Sequence, residues 1–328
     1  PTHAPAAALR FEPTQDRYGT RLALVFGNEA KDGACPYHRR SECSHCDIGA
    51  GEGQAVSAFE HDLRLQWFAY HYRREIPKVR HLVLYNSGSL LNPREMSETA
   101  LHGVIDWAAQ LPSLHMLSLD TREAYVRRDR LAELRKRLPT QVALRVIVGL
   151  ESADDEVRLI YLNKRMPREA VERAVAEIAA SGDNLGLWIS LVFGPPGRRN
   201  EAAIDDLLTG ISYSLDLAQR YQLPLDFNIH PFYPSQRSLR MHPEHPRADL
   251  ALLDDRQWAG DCDEINRLAA QFAHIGLQQR VAKQHLIEND VVASAGKRAN
   301  RPHHSREQAL RIRPLANFGC GAVGRLGW

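Results

Sequence analysis

Short apolar runs alternate with amphipathic stretches along most of the chain. The runs at Leu22–Phe26, Arg80–Tyr85, Leu114–Leu119, Ala143–Gly149, Leu185–Phe193 and Leu225–His230 have the length of strands. Between them, Val56–Arg73, Glu95–Gln110, Arg127–Arg137, Arg168–Ser181 and Asn200–Tyr221 carry apolar residues at helical spacing. Pro167 marks the start of the fourth helix and Ser181-Gly182 its end. Repeated strand–helix units predict a parallel sheet covered by helices, an α/β fold. Residues 1–20 read as an N-terminal extension. The alternation is lost after about Ser238, where Asp254–Ile275 reads as a helix and His285–Glu288 as a strand. The tail from Ser294 to Trp328 is rich in Arg, His and Gly, and its stretch Asn317–Gly324 (NFGCGAVG) is predicted as a loop, because three glycines weaken regular structure.

Composition narrows the class. A length of 328 residues suits two typical domains or one large α/β barrel. With 44% hydrophobic and 25% charged residues the chain is expected to fold in water, and no apolar run approaches the roughly 18 residues of a membrane span. Lys+Arg 42 against Asp+Glu 40 gives a net charge of +2, so the basic excess of a protein held mainly by phosphates is lacking. The opening residues PTHAPAAALR carry neither a basic nor an apolar leader pattern, and the expected compartment is the cytoplasm.

The cysteines add chemistry. There are five, and Cys35, Cys43 and Cys46 lie together in a loop that begins nine residues beyond the first predicted strand, marked by Gly27, Gly33 and Pro36. An odd number without a secretory leader fits a disulfide framework poorly and suggests a metal. Two chemistries suit three thiols on one loop. One is a structural zinc with His38 or His45 as fourth ligand. The other is a 4Fe–4S cluster held by three thiolates, with one iron left open. Strand ends bear on the choice: Tyr85–Ser89, Asp120–Glu123, Gly149–Ser152, Gly194–Gly197 and His230–Ser235 are polar or Gly-rich and are predicted to face one mouth with the cysteines. A structural zinc has no need of that arrangement.

Read in order, CPYHRRSECSHC, LYNSGSLLNPREM, SLDTRE, VGLESADDEVRLIYLNK and VFGPPGRRNEAAIDD resemble the radical S-adenosylmethionine (SAM) superfamily, within it the branch of the Elongator catalytic subunit and the radical subunit of archaeosine synthase. The resemblance covers roughly residues 22–238. It implies a partial (β/α)6 TIM-like barrel over 21–238, with 239–328 as a C-terminal extension covering the mouth. It also implies a 4Fe–4S cluster on Cys35, Cys43 and Cys46, with SAM on the open iron. Asn86, Ser87, Gly88 and Ser89 match the segment that holds the methionine amino group. Asp120 with Arg122 matches an acid-x-Arg element, Glu151 a strand-four acid near the ribose or amino group, and Gly194–Gly197 the segment near adenine. Each has a plainer alternative: a turn at Asn86–Ser89, an Asp120–Arg122 ion pair, a helix cap at Glu151, a rigid turn at Gly194–Gly197.

The implied reaction is reductive SAM cleavage to a 5′-deoxyadenosyl radical that takes hydrogen from a substrate, with an external one-electron donor of flavodoxin or ferredoxin type as partner. Near-neutral charge favours a small-molecule substrate over tRNA or an RNA precursor. Asn228, His230 and Tyr233 are expected at the substrate site. Cys320, between glycines, is a candidate hydrogen donor, and Cys262 a poorer one; the plainer readings are a core-edge histidine and a loop thiol.

Overall fold

The computed structural model describes Leu9 and residues 11–40, 42–43, 45–46, 54–199, 201–232 and 291–293. Eight strands form one sheet in sequential order: β1 (Thr14–Asp16), β2 (Gly19–Phe26), β3 (His81–Asn86), β4 (Met116–Asp120), β5 (Ala143–Glu151), β6 (Leu185–Phe193), β7 (Leu225–Pro231) and β8 (Val291–Ala293). From β2 to β8 all pairings are parallel, and β1 is antiparallel to β2. The helices are α1 (Pro36–Arg39), α2 (Ala58–His71), α3 (Glu98–Ala109), α4 (Arg128–Arg137), α5 (Arg168–Ala179) and α6 (Glu201–Tyr221). The sheet curls into a half barrel of the TIM type, with β2–β7 as the six expected strands.

Element ends differ from expectation where local chemistry intervenes. Part of the N-terminal extension is the strand β1. The helix expected from Glu95 begins at Glu98, because Ser97 caps it and accepts from the Ala100 amide at 3.3 Å. The helix α2 is closed at its start by a capping box between Ser57 and Glu60. The expected strand at 285–288 lies outside the described residues, and a strand is present at Val291–Ala293. Tyr233, Cys262, Cys320, the expected helix at 254–275, the predicted loop at 317–324 and the tail from Ser294, hence the expected cover over the mouth, also lie outside the described residues.

Period-two alternation divides the sheet into two faces. Leu22, Leu24 and Phe26, Leu82 and Leu84, Leu117 and Leu119, and the matching positions of β5–β7 join the helices in one large core. The opposite, concave face has a smaller apolar belt of Val83, Ile147 and Trp188, flanked by Ala23 and Tyr85. Below this belt, at the N-terminal ends of the strands, charge is buried. Asp226 on β7 accepts from Arg145 Nε at 3.2 Å and pairs with Arg17, which comes from the β1–β2 turn. In the same turn Asp16 binds His81 Nδ1, and His81 Nε2 meets Ser118 Oγ at 2.8 Å. The β1–β2 hairpin thus crosses the floor of the half barrel and ties its first strands to its seventh.

Two predictions follow from this packing. Asp226→Ala strands the Arg145 and Arg17 guanidinium groups in the floor, so urea unfolding is expected to show a loss of about 3–5 kcal/mol; a loss below about 1 kcal/mol would mean that the floor network contributes little. The second concerns His61 on α2, 1% exposed, edge-on to Phe26 and 3.8 Å from Glu29 Oε1. Burial, aided by Arg64, pushes its pKa down from 6.5 to about 4. The fold therefore resists protonating this ring: its contribution is whole above pH 6.5 and is lost as pH falls toward 4. Across that window the native protein is expected to lose stability more steeply than His61→Phe, by up to about 1.4 kcal/mol per pH unit. Parallel stability curves for the two proteins would refute this.

Candidate active site

The cysteine loop leaves the C-terminal end of β2. Cys35 sits at the N-cap of the short α1, and burial, followed by the nearby Glu95, pushes its thiol up to about 11. Cys43 has a positive φ of 54° and donates its amide to the Asn163 carbonyl at 3.0 Å. The Cys46 amide in turn donates to the Cys43 carbonyl at 3.0 Å. None of the three cysteines is in a disulfide, and all are half-buried. As placed, no three His, Cys, Asp or Glu side chains among the described residues stand close enough to hold a metal ion. Residues 41, 44 and 47–53 of this loop are outside the described ones.

The end of β3 is built around a carboxyl that sequence reasoning missed. Glu95 is fully buried and accepts from the Ser89 amide at 3.1 Å, from Asn28 Nδ2 at 3.1 Å and from Asn92 Nδ2. A Cβ at Gly88 would fall 1.6 Å from Glu95 Oε2, so glycine is required there by this carboxyl. Asn86 donates from Nδ2 to the Glu95 carbonyl at 3.2 Å, while its buried Oδ1 has no hydrogen-bond donor among the described residues. Ser87 is buried against the Phe26 carbonyl, and the Ser89 hydroxyl accepts from the Arg122 amide at 3.2 Å. The segment is a shelf fixed by hydrogen bonds, on which Asn86 Oδ1 is an acceptor with no donor among the described residues.

A second carboxylate stands across the mouth. At the end of β5 a bulge between Gly149 and Glu151 puts Glu151 at φ 66°. Its Oε1 accepts from Lys164 Nζ at 2.6 Å and lies 3.5 Å from His45 Nε2; its Oε2 lies 3.7 Å from His230 Nε2 on β7. Burial opposes the charge, but Lys164, His230 and His45 outweigh it and hold the carboxyl well below the usual range. Burial likewise works against the Lys164 ammonium, and Glu151 overcomes it. His45 is driven toward its neutral form, chiefly by burial. Close by, burial raises the Asp120 carboxyl to about 7, with Lys164 acting against the rise and Glu151 adding to it. A Cβ at Gly149 would stand 2.3 Å from Glu151 Oε1 and 2.7 Å from Lys164 Nζ, so the ion pair needs that glycine.

Lys164 reaches Glu151 from an irregular connection. A π-helical turn at Val157–Tyr161 is followed by Asn163 and Arg165 in the left-handed region, with φ 46° and 49°. The fragment VGLESADDEVRLIYLNK contains Lys164, but nothing in its local pattern marks that residue as facing inward. Glu151 does not cap the next helical turn; Asp154 does, accepting from the Glu156 amide at 2.8 Å. Nor do Asp120 and Arg122 pair. Arg122 is engaged by Cys43, by the Lys164 carbonyl and by Glu123. Gly194 and Gly197 follow β6 with φ of 68° and 77°; a Cβ would meet nothing within 4 Å at Gly194 but would strike the Tyr161 ring at Gly197. The structure thus gathers Cys35, Cys43, Cys46, Asn86–Ser89, Asp120, Arg122, Glu123, Glu151, Gly194, Gly197 and His230 at the strand C-terminal ends, with His45, expected as a candidate zinc ligand, beside Glu151, and adds Lys164, Glu95 and Tyr37.

No family model matches the chain. An uncharacterized protein of Methanocaldococcus jannaschii is 23% identical over 202 residues, 61% of this chain and 53% of that protein, so the chain spans about half the length of the curated relative it matches. Among solved structures it is similar to coproporphyrinogen III oxidase HemN from Escherichia coli, a radical SAM enzyme, with 14% identity, 70% of this chain, 50% of that one and a TM-score of 0.43. Spore photoproduct lyase gives 12% identity, 76% and 67% coverage and 0.43. Elp3 of Methanocaldococcus infernus gives 13%, 67% and 52%, and 0.37. No helix among the described residues is long and apolar enough to cross a membrane.

The mouth's ion pair yields a third prediction. Lys164→Met leaves the Glu151 carboxylate buried without its ammonium and is expected to cost about 3–5 kcal/mol in equilibrium unfolding. Adding Glu151→Gln should recover much of that loss, since the uncompensated charge is gone. A double variant as unstable as the single one would show that Lys164 acts by packing instead.

Proposed function

We propose that the chain is a radical SAM enzyme whose active site is the mouth of the half barrel. The observation that carries this reading is that three cysteines of one loop, none in a disulfide, share the strand C-terminal ends with a shelf of polar groups, a buried carboxylate and two cationic side chains, Arg122 and Lys164. The donor set suits an iron–sulfur cluster: three cysteines come from one loop, and the sulfur of Cys43 accepts from the Arg122 guanidinium. Cys35, Cys43 and Cys46 would hold it. Such a 4Fe–4S cluster, once reduced by an external one-electron donor, would supply the electron for cleaving bound SAM to methionine and a 5′-deoxyadenosyl radical able to take hydrogen from a substrate.

The chain's own residues then bind and orient. The Asn86 Oδ1, buried without a donor among the described residues, suits the ammonium of the methionine moiety. Glu151, ionised and held by Lys164, accepts from a hydroxyl or amino group. The open side of Gly194 leaves room for a flat ring system, and Asp120, near half-protonated at pH 7, can hold or release a proton at its carboxyl. Asn228 and His230 on β7 face the place left for substrate, and Tyr233 and Cys320 extend the proposal beyond the described residues. The near-neutral charge supports a small-molecule substrate, and a flavodoxin- or ferredoxin-type protein is the proposed electron donor.

The test is anaerobic reconstitution with iron and sulfide, followed by dithionite and SAM. Absorbance near about 400 nm and formation of 5′-deoxyadenosine are expected. Each of Cys35→Ala, Cys43→Ala and Cys46→Ala is expected to abolish both, whereas Cys262→Ala keeps its iron. Stoichiometric zinc without iron or sulfide, or a full active cluster in any of the three variants, would sink the reading.

A further inference from the structure

Arg122 is held on every side. Its guanidinium Nη1 donates to Cys43 Sγ at 3.2 Å, Nη2 donates to the Lys164 carbonyl, and Nε lies 3.3 Å from Glu123 Oε2. Its Cζ stands 3.6 Å from the centre of the ring of Tyr37, two residues beyond Cys35. Its backbone amide donates to the Ser89 hydroxyl, and its side chain is 8% exposed. One residue therefore joins the cysteine loop, the β3 shelf and the connection that carries Lys164. The Cys43 sulfur thus accepts from a cationic donor. With Nη1 and Nη2 hydrogen-bonded within the protein and Nε in ion-pair range of Glu123, the fork expected on a ligand carboxylate is turned toward a thiol.

We infer that Arg122 is a positioning residue for the cluster: it fixes Cys43 through an N–H···S bond and sets the reduction potential of whatever iron–sulfur group that sulfur ligates. This rests on the function proposed above. Hydrogen bonds and positive charge at a ligating sulfur stabilise the more negative, reduced form, which raises the potential. Tyr37 and Glu123 serve to aim the guanidinium, and the fork geometry explains why arginine is needed where lysine would offer only a point charge.

The experiment is an electron-paramagnetic-resonance redox titration of reconstituted wild-type protein, Arg122→Gln, Arg122→Lys and Tyr37→Leu, with iron content measured on each. Arg122→Gln is expected to shift the midpoint potential to more negative values, Arg122→Lys to shift it less, and Tyr37→Leu to shift it in the same direction. Unchanged potentials at full iron content would overturn the inference. Should Arg122→Gln fail to load, Arg122→Lys and Tyr37→Leu decide: unmoved potentials in both overturn it, and a negative shift in either upholds it. Failure of the wild-type protein to form any iron–sulfur cluster is a different result and falls on the proposed function.

Discussion

A carboxylate buried at the end of β5 constrains the mouth of this barrel. Charge cannot be held away from water without compensation, so Glu151 requires the Lys164 ammonium at 2.6 Å. That requirement propagates. Gly149 has to lack a side chain, the bulge has to turn Glu151 inward, and the β5–α5 connection has to pass through a π-helical turn to deliver Lys164. The same connection offers the Asn163 carbonyl to the Cys43 amide and the Lys164 carbonyl to Arg122. The cysteine loop is thus placed by groups whose own positions depend on the buried pair.

The concave face is polar at both ends and apolar between them, but the two ends differ in kind. At the floor, Asp226 meets Arg145 and Arg17, and His81 bridges Asp16 and Ser118, so charge is matched across strands and the hairpin. At the mouth, matching is incomplete: Asn86 Oδ1 has no donor among the described residues, and burial raises the Asp120 pKa beyond what Lys164 offsets. A network with an acceptor lacking a donor among the described residues and a carboxyl of raised pKa is suited to a bound molecule, whereas the ion-paired floor is suited to stability. This difference, together with the three cysteines, is what gives the functional reading its location.

The cationic groups at the mouth serve two sides. Lys164 turns its ammonium to Glu151 and its carbonyl to Arg122, while Arg122 turns its fork to Cys43 and its amide to Ser89. The shelf, the carboxylate and the cysteine loop are therefore mechanically connected through hydrogen bonds on few residues. Where such sites work, placement of reacting groups to fractions of an ångström matters, and short connections between rigid strand ends provide it.

Element order and most element limits were legible in the sequence, since apolar periodicity is a local property: β6 at Leu185–Phe193 was read to the residue, and the five long helices to within a turn. Cys35, Cys43, Cys46 and the strand-end residues were legible as well, because their kinds and spacing stand out along the chain. The residues that decide how the mouth works did not stand out. Lys164 looks like any basic residue in a loop, Glu95 like the first turn of a helix, and Arg122 like the partner of Asp120 two positions away. Only the folded chain brings Arg122 to Cys43, 79 residues earlier, and Asp226 to Arg17, 209 residues earlier. Hydrophobic patterning tells a segment which face to bury, whereas the choice of partner for a buried charge depends on which distant strand ends the sheet brings together, and that belongs to tertiary structure alone.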